Sequence, residues 1–310
     1  MIRLPQRGIA RSVRRHNSEF AVFCDWVELS ALTGASEISR SDAVDHLVEA
    51  HIYDDQDFCS ERVTSAWSEL RRRQLWLGSG SDIQFTSARI ATATPWQAMA
   101  AHTFCVTVSL APHYKGWFDK FGADYTAQGA LFERLAMEAL PHRFSGWVFQ
   151  STGWSAQTAV ELIAVVPELA AALGEDPGDI QKYATGKAHE AGLDLAWYLP
   201  FPDVRGGLPA YLAQCASGAN WISKLHTPAL PLWNKLIDFT HPPSKALVLP
   251  FALDDSVFRN HAVLVEGLII DRYRLLPPQP SDAWLSENLA RDLIAWLEPR
   301  IGWLESPGSG

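Results

Sequence analysis

The sequence predicts an α/β (α+β) protein: a small mixed sheet flanked by helices, preceded by a mainly helical N-terminal domain. Apolar residues recur at helical spacing over much of the stretch between Ala21 and Leu77, whereas the second half alternates amphipathic stretches with short apolar runs bounded by Gly and Pro. The 310 residues exceed the usual size of one compact core. Two domains are therefore expected, at 1–120 and 121–305, with a flexible tail at 306–310.

From Ala21 to about Ala50 the helical stripe runs through Phe23, Trp26, Val27 and Leu29, then through Val44, Leu47 and Val48. Ser39 or Ser41 reads as the cap of the later helix. A third helix is predicted from Ser60 to Leu77, with Val63, Ala66, Trp67, Leu70 and Leu75 inward and Arg71, Arg72 and Arg73 on its outer side. Gly78 to Ser81 ends it, and Ile83, Phe85 and Ile90 suggest a strand or hairpin. Helix, helix and strand over residues 40–93 have the pattern of a winged helix, in which the later helix enters the major groove and would set Arg71, Arg72 and Arg73 near phosphates. A helical adaptor with a solvated arginine face reads the same way, so this domain is expected to dock either DNA or a partner protein.

Punctuation by Pro95, Pro112, Gly116 and Gly122 places the domain boundary between 94 and 125. Beyond it the spacing predicts helices over 128–140 and 156–173, strands over 193–199, 210–216, 246–251 and 262–270, the start of a helix at Asn220, and a last amphipathic helix over 282–297. Thirteen tryptophans include Trp147, Trp154 and Trp221 in polar company, where an indole covers a core edge or stacks on a ligand.

A net charge of −9 argues against a protein that coats nucleic acid by bulk electrostatics. Basic residues are nonetheless clustered, at Arg3, Arg7, Arg11, Arg14 and Arg15 and again at Arg71 to Arg73. The four cysteines, Cys24, Cys59, Cys105 and Cys215, lie far apart with no metal-ligand spacing, which fits reduced thiols and a cytoplasmic location. No signal peptide or membrane span is expected, since nowhere do about 18 apolar residues follow one another.

Chemistry concentrates between Gly192 and Lys224. Asp194 enters one predicted strand, Pro200 to Pro209 form a turn, and Gln214 sits within the next strand between Ala213 and Cys215. Antiparallel neighbours joined by a turn would bring these two oxygen-bearing side chains together at one sheet edge. A Gln in an otherwise apolar strand needs a partner to offset its desolvation. Cys215 with His189 or His226 imitates a cysteine hydrolase, but a Cys inside an apolar strand is more often an inert core residue.

Taken in order, these residues resemble the PD-(D/E)XK, or restriction-endonuclease-like, nuclease superfamily over roughly residues 125–275. The resemblance implies a helical Glu at Glu133, the motif Asp at Asp194 and the Glu/Gln position at Gln214. The Lys expected two positions later is Ala216, so the motif is incomplete. Its role would pass to Lys224 on the following helix, with Lys187 in reserve. By the same resemblance Mg²⁺, or Mn²⁺ in its place, would be bound by Glu133, Asp194, Gln214 and the carbonyl of Cys215, as hard oxygen donors suit such ions. The lysine would orient the attacking water and relieve charge on a phosphodiester. The implied protein is a metal-dependent endonuclease acting on DNA, similar to restriction or anti-phage defence effectors and able to pair as a homodimer. The alternative is a nuclease fold that lost catalysis with its lysine and acts as a nucleic-acid- or partner-binding module.

Overall fold

The computed structural model describes residues 1–9, 20–33, 37–53, 55–77, 82–152, 162–180, 192–279 and 281–306. Arg11, Arg14, Arg15, Trp154, Lys187, His189 and the last four tail residues lie outside the described residues. The fold mixes helices with a five-stranded sheet and divides into two units: Met1–Ala123 together with Arg272–Gly310, and Asp124–Asp271.

In the first unit, helix α1 (Phe20–Thr33) is buried from Val22 to Leu32 on every side, so it forms the centre of the core rather than an amphipathic cover. A short strand missed in the sequence, β1 (Glu37–Ser39), separates it from α2 (Arg40–Glu49). Ser39 is the cap: its hydroxyl accepts from the Asp42 N–H at 3.1 Å, while the Asp42 carboxylate accepts from the Ser39 N–H at 2.9 Å. Helix α3 (Gln56–Leu77) follows, then the hairpin β2 (Ile83–Phe85) and β3 (Arg89–Thr92). The small antiparallel sheet has the order β1-β3-β2.

Where the sequence mixed helix and loop signals, a buried helix α4 (Ala100–Leu110) completes this core, with a short helix α5 (Trp117–Phe121) after it. The expectation that the second domain runs to residue 305 is corrected, because Arg272 onward belongs to the first unit. Its helix α10 (Glu287–Glu305), capped by Ser286 and continuous through Pro299, sets Trp296 edge-on to Phe104 with ring centroids 5.0 Å apart. The Leu304 carbonyl accepts from the Arg3 N–H at 2.8 Å.

In the second unit, α6 (Tyr125–Ala139) precedes the strands β4 (Val148–Ser151), β6 (Leu195–Tyr198), β7 (Ala210–Cys215), β9 (Ser244–Val248) and β10 (Leu268–Ile270). The minor strands β5 (Asp176–Pro177) and β8 (Ile237–Asp238) pair separately. The main sheet has the order β10-β9-β7-β6-β4; the β4-β6-β7 portion is antiparallel, and β9 runs parallel to both its neighbours. Helices α7 (Leu162–Leu173) and α8 (Leu230–Leu236) bury Leu169, Trp233 and Leu236 with Ala196 and Leu212 of the sheet.

The strand expected over 262–270 is in fact the end of helix α9 (Asp255–Val265) followed by β10. The Asp254 carboxylate caps α9 by accepting from the Val257 N–H at 2.8 Å, so the apolar run Ala262 to Val265 finishes a helix begun ten residues earlier. Among the described residues no helix is long and apolar enough to cross a membrane, and all four cysteines are free and buried.

Candidate functional site

The turn glycine Gly192, at φ +78°, leads the chain into β6; an added Cβ there would lie 2.8 Å from the Thr227 side chain. Asp194 follows, its backbone held from both flanking strands. Its N–H donates to the Ala213 carbonyl and its own carbonyl accepts from the Thr152 N–H, each at 2.9 Å. The Thr152 hydroxyl also donates to the Leu193 carbonyl at 2.9 Å. Side-chain placement is thus inherited from a sheet-interior position.

Asp194 and Gln214 are both buried, at 7% and 6% exposure, and they touch. The Gln214 amide donates to Asp194 Oδ2 and, at 3.1 Å, to the Cys215 carbonyl, while the Cys215 N–H donates to Asp194 Oδ2 at 2.6 Å. One carboxylate, one side-chain amide and one backbone carbonyl therefore converge at the end of two neighbouring strands. Half a turn of the amide would exchange its nitrogen for its oxygen, giving three hard oxygen donors at one point. Among the described residues no group of three or more His, Cys, Asp or Glu side chains is arranged to hold a metal, so a cation here would depend on the amide and carbonyl oxygens.

These groups open into a cleft of about 630 Å³, lined also by Tyr125, Thr126, Gln128, Gly129, Ala130 and Glu133 of α6, by the turn Ser217 to Asn220, and by Lys224. The four residues singled out in the sequence, Glu133, Asp194, Gln214 and Lys224, accordingly meet in one region: three line the cleft, and Gln214 bonds one of those three, Asp194. Lys224 ends a single 3₁₀ turn, Trp221–Lys224, in place of the α-helix expected there.

Burial pushes the Asp194 carboxyl up to about 6, against the opposing pull of the Cys215 N–H and the Lys224 ammonium. The Cys215 thiol is driven well above its ordinary value by burial and by the carboxylates of Asp194 and Glu133. A thiol held so far from its thiolate form is a poor nucleophile, and His226 is exposed, both of which speak against the cysteine-hydrolase reading with His226; His189 lies outside the described residues.

Two residues of the site had no signal in the sequence. Thr152 pins the Asp194 backbone, and buried Gln128 donates to the Ser217 carbonyl at 2.8 Å and its hydroxyl at 3.3 Å, tying α6 to the strand-to-helix turn. Gly129 lies one residue on, inside α6, where glycine costs about 1 kcal/mol relative to alanine. Apart from its chain neighbours and the helix's own backbone, no described atom lies within 4 Å of the Cβ it lacks.

No family model, curated protein or solved structure matches this chain. The reading of the site therefore stands on its geometry.

The arginines chosen in the first unit fare differently. Arg73 is a correction: it is 2% exposed, donating to Asp25 at 2.7 Å, Glu28 at 3.1 Å and Glu69 at 3.3 Å, and cannot reach a phosphate. A long side chain at an i+3 to i+4 offset from the helix's apolar stripe turned inward because two buried carboxylates of α1 required cations. Arg72 pairs with Glu69 at 2.7 Å and lies over the Trp76 ring at 4.9 Å, leaving Arg71 as the exposed member of the run. Arg272 is buried with Asp25 and is structural. Trp147 packs beside Tyr211 at 5.8 Å and Trp221 beside His261 at 4.8 Å, as core-edge rings.

Proposed function

We propose that the second unit is a metal-dependent nuclease of the PD-(D/E)XK type that hydrolyses phosphodiester bonds in DNA. The observation that carries this reading is the meeting of Asp194, Gln214 and the Cys215 backbone at one point beneath a cleft that also holds Glu133 and Lys224. The order helix α6, antiparallel β4-β6-β7, with Glu133, Asp194 and Gln214 in sequence, adds support. Asp194, the Gln214 amide oxygen, the Cys215 carbonyl and Glu133 would hold one or two Mg²⁺ or Mn²⁺ ions. When bound, such an ion supplies Lewis-acid charge relief to the phosphate.

The chain's own groups do the remaining work. Asp194 contributes a negative charge whose desolvation is unfavourable until a cation arrives. Lys224, half-buried on the cleft wall, supplies the ammonium missing at Ala216; its donors can hold a water and a phosphate oxygen in place and offset charge developing on that oxygen. Glu133 stands on the neighbouring helix, where it can accept a proton from water.

The first unit has the element order of a winged helix, with α3 in the place of the recognition helix. Its exposed face carries Ser60, Glu61, Thr64, Ser65, Ser68 and Arg71, which favours a protein partner over a phosphate backbone. Restriction or anti-phage defence is the role proposed for the pairing of such a unit with a nuclease.

Purified protein should cut DNA with Mg²⁺ or Mn²⁺ and not with EDTA, and Lys224→Ala should slow cutting at least about a hundredfold while leaving Mn²⁺ affinity nearly unchanged. Metal binding to the wild type without any cutting would favour the binding-only alternative. Because Asp194 must be ionised to hold a cation, Mn²⁺ affinity measured by calorimetry should fall as pH drops below about 6. A flat profile from pH 8 to about 5 would remove Asp194 from the ligand set.

A further inference from the structure

Helix α9 carries an apolar strip that its own unit leaves open. Its inward face, Phe258, Ala262 and Val265, joins the core around Leu247 and Leu249. Helical period sets Arg259, Val263 and Glu266 at i, i+4 and i+7 on the opposite side. There Val263 is 76% exposed and Leu264 49%, where an amphipathic helix is normally polar. The apolar surface continues toward the Trp221–Lys224 turn: His261 lies against Trp221 at 4.8 Å, and Ile222 beside it is exposed. Single exposed apolar side chains are ordinary, whereas a run of them marks an interaction surface.

Charge says what covers it. Arg259 and Glu266 stand toward the two ends of the strip, both exposed, and among the described residues neither makes an ion pair. Glu266 is poorly served by its own chain. It ends α9 at φ +51°, in the left-handed region where glycine or asparagine is usual, and sets a carboxylate at the negative end of a helix whose last turn holds no basic residue. Lys245 feels that charge, but its Nζ is committed to the Leu225 carbonyl at 3.3 Å. A guanidinium arriving from outside would offset it.

The helix is its own complement. When a second copy is turned end for end about a twofold axis level with Val263, the two Val263 side chains meet and Arg259 of each copy faces Glu266 of the other. The rise from Arg259 to Glu266 is about 10 Å, so the two ion pairs fall at equal heights on either side of the axis, along one rim of the contact. We propose that the exposed face of α9 pairs antiparallel with the same face of a second copy of this chain, forming a twofold dimer. So small an apolar centre fits an equilibrium dimer that forms at about micromolar concentration rather than an obligate one. The pairing does not depend on the nuclease reading, although Ile222 and Lys224 share one turn and the interface therefore borders the cleft.

The test is sedimentation of the full chain in EDTA, which keeps the result independent of any bound metal, from about 1 to 100 µM. The wild type should dimerise over this range and Val263→Asp should stay monomeric. Arg259→Glu and Glu266→Arg should each weaken the dimer about tenfold or more, because each sets like charges against one another twice. The double variant should return to within about threefold of the wild type, a recovery that this register of self-pairing requires. Melting temperatures at the lowest concentration check that each variant is folded; should Glu266→Arg melt early beside Lys245, Val263→Asp and Arg259→Glu carry the test. A wild type that remains monomeric at about 100 µM overturns the proposal, as does a dimer that Val263→Asp and Arg259→Glu leave intact, or folded reversals that do not rescue each other.

Discussion

Asp194→Asn is expected to lower DNA cleavage by about a thousandfold or more while leaving the protein folded. The asparagine oxygen can still accept from the Cys215 N–H and the Gln214 amide, so the local hydrogen bonds survive and the charge alone is lost. Stability should move the other way. The folded carboxyl sits at about 6 against an ordinary 3.8. A raised value means that the buried group is best tolerated in its protonated form, so its favourable share is fully present below the ordinary value and is lost as pH rises through the folded one. Between about pH 4 and 6 the metal-free wild type should therefore lose on the order of 3 kcal/mol that the asparagine variant keeps. In EDTA at pH 8 the variant should melt above the wild type, at pH 4 it should not, and Mn²⁺ should raise the wild type alone. A metal-free wild type that gains stability over this range would refute the buried-carboxylate account, and a folded variant that still cuts would refute the site.

Arg272→Ala should cost about 3–5 kcal/mol of unfolding free energy at pH 7. The Arg272 guanidinium is fully buried and grips both Asp25 oxygens at 3.0 Å, and with Arg73 it holds the Asp25 carboxyl well below the usual range. Glu28, likewise lowered although buried, is served by His102 at 2.7 Å, by Arg73 and by the Tyr273 hydroxyl at 3.2 Å. Taking one cation away leaves an uncompensated charge on α1, in the centre of the first unit, which is far more costly than losing an exposed ion pair. Arg272→Lys should rescue only part, since an ammonium lacks the planar fork that meets two oxygens at once. Because the folded carboxyl values are depressed, the cluster contributes above the ordinary carboxylate range and loses its contribution in acid. Urea unfolding at pH 7 and about pH 3 checks both points, and a loss below about 1 kcal/mol for Arg272→Ala would mean that the cluster contributes little.

The meeting of Asp194 with Gln214 was legible because its information is local, whereas Glu133 and Lys224 were named only through the family resemblance. A strand, a Gly- and Pro-rich turn and a second strand bring residues 194 and 214 together through pairing rules that act between neighbours in the chain. A polar amide inside an apolar run likewise announces a partner by its own desolvation cost. Arg73 misled for the opposite reason: its place beside two other arginines argued for solvent, and its carboxylate partners on α1 are 45 and 48 residues away. Gln128 and Thr152 also escaped, since their partners are 89 and 41 residues distant and nothing local marks either side chain as buried.

By itself, then, the sequence determined the mixed class, most of the helices and the strands that bear Asp194 and Gln214, all of which follow from periodicity, capping and turn chemistry within a few residues; the full set of candidates for the chemistry came from a family resemblance. Only tertiary structure decided that the last helix completes the first unit, that an arginine run is partly core, and which α6 residues face the Asp194 cleft. Those outcomes depend on which distant surfaces and charges compensate one another on burial, a balance that no window of neighbouring residues contains.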